Sequence, residues 1–121
     1  MNKYISVLKN HFPKLYSNIS SLECNEGWNQ LIYDLSDEIT NYCILENIEM
    51  PHFLQIKEKF AGLRCYLSSY TEDLYNIIKK YEEKSYTVCE ICGNTGYCNE
   101  VGYYIQTLCE HCYKEKFKEL Q

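Results

Sequence analysis

The sequence predicts an α+β protein: a helical N-terminal body that carries a small β-hairpin, joined to a cysteine-rich C-terminal module. Three observations carry that prediction. Apolar residues recur at three- and four-residue steps over 26–47 and again over 70–84, as amphipathic helices require. Residues 53–67, between those stretches, shift toward period two, the pattern of half-buried strands. Further on, Cys89-Glu90-Ile91-Cys92 and Cys109-Glu110-His111-Cys112 form two C-x2-C pairs with sixteen residues between them.

In chain order, the first predicted helix covers 3–11, with Tyr4, Val7, Leu8 and His11 on one face and Pro13 marking its end. The Ser- and Asn-rich residues 17–25 read as a loop. The clearest helix covers 26–47, with Trp28, Leu31, Ile32, Leu35, Ile39, Tyr42 and Cys43 on its apolar stripe. Asn25 is its expected N-cap, and Glu26 suits the positive end of the helix dipole. Asp34, Asp37 and Glu38 fall largely off the stripe, toward solvent, and Met50-Pro51 breaks the helix. Leu63, Cys65 and Leu67 alternate with Arg64 and Tyr66 as a strand. Ile56, Glu58 and Phe60 supply its partner, with Ala61-Gly62 in the turn, although Lys57-Glu58-Lys59 also suits a helix. Ser69-x-x-Glu72 reads as a capping box that opens a helix near Tyr70. Leu74, Ile77, Ile78 and Tyr81 face inward on it, and Lys79, Lys80 and Lys84 lie toward its C-terminal end.

The cysteine spacing is that of a structural zinc site, because Zn²⁺ takes four soft ligands in a tetrahedron and two C-x2-C turns supply them with little strain. Gly93 after Cys92 suits a knuckle that needs φ > 0. Residues 94–108 read as a hairpin, and 111–120 as a helix with Tyr113, Phe117 and Leu120 inward. A knuckle, a hairpin and a helix whose first turn brings the second pair make a treble-clef-like module. The predicted ligands of one structural Zn²⁺ are Cys89, Cys92, Cys109 and Cys112, with Cys98 and His111 as spares outside the shell and replacement of one cysteine by either of them as the alternative. Cys24, Cys43 and Cys65 lie in apolar patterns and read as core residues. His11 and His52 have no partners at catalytic spacing.

A chain of 121 residues suffices for one domain, or for a modest domain with a metal module, divided here as 1–84 and 85–121. The N-terminus shows no secretory apolar run and no stretch is long enough to span a bilayer, so a cytoplasmic protein with reduced thiols is expected. Formal charge is −5, unevenly spread. No Lys or Arg lies between Lys14 and Lys57, where Glu23, Glu26, Asp34, Asp37, Glu38, Glu46 and Glu49 all fall. Such a field repels nucleic-acid backbone and attracts basic surfaces.

Several motifs resemble those of a family of small, mostly uncharacterised proteins of bacterial genomes and prophages. They are Gly27-Trp28 with Leu31-Ile32; the run from Gln55 to Tyr66; Ser85; Cys89-Glu90-x-Cys92-Gly93-x-x-Gly96; and Thr107-Leu108-Cys109. The resemblance covers roughly residues 27–112. That family often places His at the last ligand position, where this chain has Cys112. It also tends to carry an aromatic residue before the Thr-Leu-Cys run, a place that Tyr104 fills. The resemblance implies a shared fold and brings no activity with it.

The sequence shows no nucleophile–base–orienter set, phosphate-binding glycine loop or paired-carboxylate motif. The deaminase pattern and H-E-x-x-H are also missing, and His111 alone cannot supply the constellation of an HNH nuclease. A redox dithiol is disfavoured because the second C-x2-C sits at zinc spacing. A non-enzymatic binding protein is therefore expected, and the resemblance together with the acidic stretch implies a phage-type accessory protein that binds a macromolecular partner through Asp34, Asp37, Glu38, Glu46 and Glu49. Its sharpest form is an anti-CRISPR or other anti-defence inhibitor that mimics phosphates in a basic groove of a nucleic-acid enzyme. The alternatives are a zinc-finger nucleic-acid-binding protein, for which Lys114, Lys116 and Lys118 lie near the metal, and an oligomeric structural module. Against the former, Glu115 and Glu119 interleave with those lysines and the module has no arginine.

Overall fold

The structure is a computed structural model that describes residues 2–120, with side chains through Lys118. Its elements are α1 (Ile5–His11), a 3₁₀ turn (Glu26–Trp28), α2 (Asn29–Leu45), β1 (Phe53–Lys59), β2 (Gly62–Leu67), α3 (Glu72–Ser85), β3 (Tyr97–Val101), β4 (Tyr104–Leu108) and α4 (Glu110–Leu120). The strands form two separate antiparallel hairpins, β1–β2 and β3–β4. The fold is thus mixed helix and sheet, as the two periodicities imply. No helix among the described residues is long and apolar enough to cross a membrane.

One apolar core holds the body together. Trp28 from the 3₁₀ turn and Ile32, Leu35 and Ile39 from α2 meet Phe53, Ile56 and Leu63 from the first hairpin and Leu74 and Ile78 from α3. Leu8, Leu15 and Tyr16 close it from the N-terminal side. The Tyr16 hydroxyl is buried and lies 2.6 Å from Ser36 Oγ, which donates to the Ile32 carbonyl, so this polar pair is satisfied inside the core. The predicted α2 stripe is buried throughout, except that Tyr42 is only half-buried. Cys43 and Cys65 are core residues, and Cys24 is half-buried against the same cluster.

A two-stranded hairpin leaves both edges with unpaired backbone groups, and here each edge is covered. On the β1 side, the Phe53 N–H donates to the Leu15 carbonyl. The Glu23 N–H donates to the Ile56 carbonyl and the Glu58 N–H to the Glu23 carbonyl. On the β2 side, α3 presents two buried polar side chains. Glu82 accepts from the Cys65 N–H at 3.1 Å and Ser85 Oγ from the Leu63 N–H at 2.9 Å. Neither residue belongs to the apolar stripe read from the sequence.

Several local expectations are corrected. α1 starts at Ile5, and of its predicted face only Leu8 is fully buried, while Val7 and His11 are exposed. The second helix opens with the 3₁₀ turn, and the Asn25 side chain does not cap it. α2 ends before Met50-Pro51: Asn47 adopts φ 52°, its N–H donates to the Ile44 carbonyl and the Ile48 N–H to the Cys43 carbonyl. That is a Schellman ending, with Asn in the left-handed position that glycine usually takes. Residues 53–59 are strand, and Phe60 belongs to the turn. Lys59 pairs with Gly62 across a two-residue Phe60-Ala61 turn in which both residues have positive φ, 51° and 71°. Such a turn favours Asn-Gly, and a non-glycine residue there costs about 1–2 kcal/mol. Gly62 starts β2, where a Cβ would fall 2.4 Å from the Tyr86 hydroxyl. The α3 cap is Thr71, whose side chain accepts from the Leu74 N–H at 3.1 Å. Ser69 lies in the preceding turn, which is closed by the Leu67 N–H donating to Tyr70 Oη.

Candidate metal centre

The four paired cysteines converge. The first pair sits on a knuckle, where the Cys89 N–H donates to the Asn94 carbonyl at 2.7 Å and the Gly93 N–H to the Cys89 carbonyl at 2.9 Å. Gly93 has φ +84°, the conformation for which glycine was expected. The chain then forms β3 and β4 in register from Tyr97↔Leu108 to Val101↔Tyr104, closed at Gly102-Tyr103 with Gly102 at φ +64°. Cys109 follows β4 directly, and Cys112 lies in the first turn of α4, its N–H 3.4 Å from Cys109 Sγ.

All four Sγ atoms lie within 4.8 Å of one another, the Cys92 and Cys109 sulfurs are 3.6 Å apart, and all four are free thiols. A tetrahedron with Zn–S bonds near 2.3 Å has sulfur–sulfur edges of about 3.8 Å. The cluster therefore fits a four-thiolate metal ion and is too open for a disulfide.

Its electrostatics point the same way. Burial opposes a thiolate at Cys89, but hydrogen bonds from the backbone of Cys109, Cys92 and Ile91 outweigh it and bring this thiol down to about 7. Cys112 is held well above the ordinary thiol range, by burial first and then by the neighbouring sulfurs. The Asn94 backbone favours a Cys92 thiolate, yet burial and the adjacent sulfurs raise that thiol on balance. A cation at the site would favour thiolates at Cys92 and Cys112, where burial and the neighbouring sulfurs otherwise favour the neutral thiols.

No family model, curated protein or solved structure matches this chain.

The cysteine module has a small apolar cluster of its own: Cys89, Val101, Leu108, Cys109 and Cys112, with Ile91 and Tyr113 against it. Polar ties fasten it to the body. The Trp28 indole N–H donates to the Val88 carbonyl at 2.8 Å, and Thr107 Oγ1 donates to the Ala61 carbonyl at 2.7 Å. The chief tie is Glu90, between the first two cysteines and almost wholly buried. Its carboxylate accepts from the Asn25 N–H (3.0 Å), the Asn25 side-chain amide (3.1 Å) and the Gln106 amide (2.9 Å). Its carbonyl accepts from the Gly27 N–H at 2.7 Å. Asn25, expected as a helix cap, is instead half of this clasp. Sequence reasoning assigned Glu90 no role, although it stands in the Cys89-Glu90-x-Cys92 resemblance motif, because its partners come from distant parts of the chain. Gly27 carried a signal as one of the resemblance motifs, without its reason: a Cβ there would lie 2.2 Å from the Cys89 carbonyl oxygen.

Cys98 and His111 are exposed and lie outside the four-sulfur group. On α4, Tyr113 packs on the module, but Phe117 is about half exposed rather than inward, with its ring 6.3 Å from that of Tyr113. The Leu120 side chain lies outside the described residues. Lys114 pairs with Glu110 and Lys118 with Glu115 along the helix.

The five acidic candidates do not form one uniform face. Asp34 and Asp37 are exposed on α2, and Glu46 and Glu49 are exposed beyond its last turn. Glu38 is not a free solvent-facing acid: its carboxylate takes the Lys80 ammonium at 2.6 Å and the Tyr81 hydroxyl at 2.8 Å. The Lys80 and Tyr81 bonds outweigh its partial burial and hold its carboxyl below the usual range.

Proposed function

We propose that Cys89, Cys92, Cys109 and Cys112 hold one Zn²⁺ as a closed structural site in a treble-clef-like module, and that the protein is a non-enzymatic binder of a macromolecular partner. The convergence of four thiols at near-tetrahedral sulfur spacing carries the metal half of this reading. With four thiolates bound, zinc keeps no open position for substrate, so its contribution is to folding rather than to chemistry. The ion fixes the knuckle and α4, and Glu90 transmits that order to the body.

The partner half is supported by the acidic body. Asp34, Asp37, Glu46 and Glu49 remain available to a basic surface, while Glu38 contributes less because Lys80 already neutralises it. Lys114 and Lys118 pair with glutamates on their own helix, which favours a protein partner over nucleic acid. A phage-type inhibitor of a host defence enzyme, including an anti-CRISPR protein, is the specific form suggested by the family resemblance. A quadruple variant, Asp34→Asn, Asp37→Asn, Glu46→Gln and Glu49→Gln, tests the acidic surface. Wild-type protein is expected to retain a basic partner from bacterial lysate in a salt-sensitive manner, and the variant to lose it. Retention of that partner by both proteins would overturn the acidic surface.

A further inference from the structure

We propose that the groove between the two hairpin tips binds a cationic side chain, arginine foremost, presented by a basic segment of a protein partner. The groove, of about 690 Å³, is lined by Glu58 and Phe60 from the first hairpin and by Glu100, Tyr103, Tyr104 and Ile105 from the second, with Gly102 at the turn. Its volume falls in the range of ordinary ligand sites. It sets exposed aromatic rings beside two carboxylates, neither of which forms an ion pair among the described residues.

Phe60 occupies this groove at a cost to the fold. Its ring is 69% exposed, so the core gains little from it. Its backbone has φ 51°, which an aromatic residue adopts only under strain. Glycine or asparagine would make the same turn more easily. The turn is nevertheless held firmly. The Ala61 N–H donates to Glu58 Oε2 at 2.9 Å, Ala61 itself is fully buried, and its carbonyl takes the Thr107 hydroxyl of the second hairpin. A residue that is costly to the fold, exposed and held in place is best explained by what it meets.

An aromatic face attracts a cation, and guanidinium adds planar stacking and a fork of donors that matches carboxylates. The Lys59 ammonium lies 5.6 Å from the Phe60 ring centroid without lining the groove, so the Glu58 and Glu100 carboxylates must outweigh its repulsion of an incoming guanidinium. The carboxylates of Glu58 and Glu100 would repel a phosphate-bearing strand, which selects a basic peptide over single-stranded nucleic acid. This inference draws on the proposed function only for the macromolecular nature of the partner, and it places contact on a surface separate from the α2 acids.

The test is calorimetric titration of the full chain with capped tetra-arginine, tetra-lysine and tetra-glutamate peptides at low salt. Tetra-arginine is expected to bind, tetra-lysine more weakly, and tetra-glutamate not at all. Glu100→Gln and Tyr103→Ala, both at exposed positions, are each expected to weaken tetra-arginine about fivefold or more. Phe60→Gly is expected to weaken it while raising Tm, a combination that a purely structural role would not produce. The Asp34→Asn, Asp37→Asn double variant, which removes part of the α2 attraction, is expected to keep the preference for tetra-arginine over tetra-lysine, whereas Glu100→Gln is expected to lose it. Loss of that preference in the double variant with none in Glu100→Gln would overturn the groove and leave the α2 surface standing. Equal loss in both would reduce the binding to general charge attraction, and wild-type binding by Phe60→Gly would also overturn the groove.

Discussion

Replacing Cys109 with Ser, or stripping metal with excess chelator, is expected to unfold the cysteine module while the helical body stays folded. The module's buried cluster contains Val101 and Leu108 beside three of the candidate ligands, and burial of two such aliphatics is worth only about 3–6 kcal/mol. Structural zinc in small modules contributes on the order of 10–16 kcal/mol of apparent binding free energy, so a zinc ion bound at these four cysteines would decide whether this module folds. The body draws on its own core, anchored by Trp28, Ile32, Phe53 and Leu63, and does not depend on the ion in the same way. Hydrogen exchange should then show protection lost at the Cys89, Glu90 and Gly93 amides and retained along α2 and α3. Cys98→Ser, at an exposed cysteine outside the cluster, should leave the pattern unchanged. Protection retained throughout in the chelated protein would mean that the module folds without metal.

Gly27→Ala is expected to cost about 3 kcal/mol, near the upper end for a small-to-large change in a packed site. The added Cβ would fall 2.2 Å from the Cys89 carbonyl oxygen and 2.4 Å from the Glu90 carbonyl carbon and oxygen. These are backbone atoms of the metal knuckle, so no side-chain rotation relieves the clash. The 3₁₀ turn must separate from the knuckle, and the Gly27 N–H to Glu90 carbonyl bond is lost with the move. Chemical denaturation should show a lower midpoint with the same slope. Because the body and the module part at that seam, metal affinity should fall too. A variant as stable as wild type would mean that the seam is looser than the contact at Gly27 indicates.

The large elements and the cysteine group were legible in the sequence because both rest on local spacing. The α2 stripe recurs with the helical period, and Cys89, Cys92, Cys109 and Cys112 carry the interval that metal ligands need. Features set by distant residues were not legible. Phe60 has the composition of a strand residue, and only the pairing of Lys59 with Gly62 shows that it occupies a turn against its own backbone preference. Gly62 looked like the turn residue, whereas its small size makes room for the Tyr86 ring. Ser69 matched a capping pattern as well as Thr71 does in fact, and the choice was made by the turn that Tyr70 closes onto β2. Glu82, Ser85 and Glu90 are buried polar groups whose partners come from other elements, so periodicity cannot reveal them.

Elemental analysis of protein purified without chelators, combined with X-ray absorption at the zinc edge, tests the metal staple most directly. The four-thiolate reading predicts one zinc per chain with four sulfur neighbours at about 2.3 Å. Less than half an equivalent of metal, or a nitrogen or oxygen atom in place of one sulfur, would contradict it.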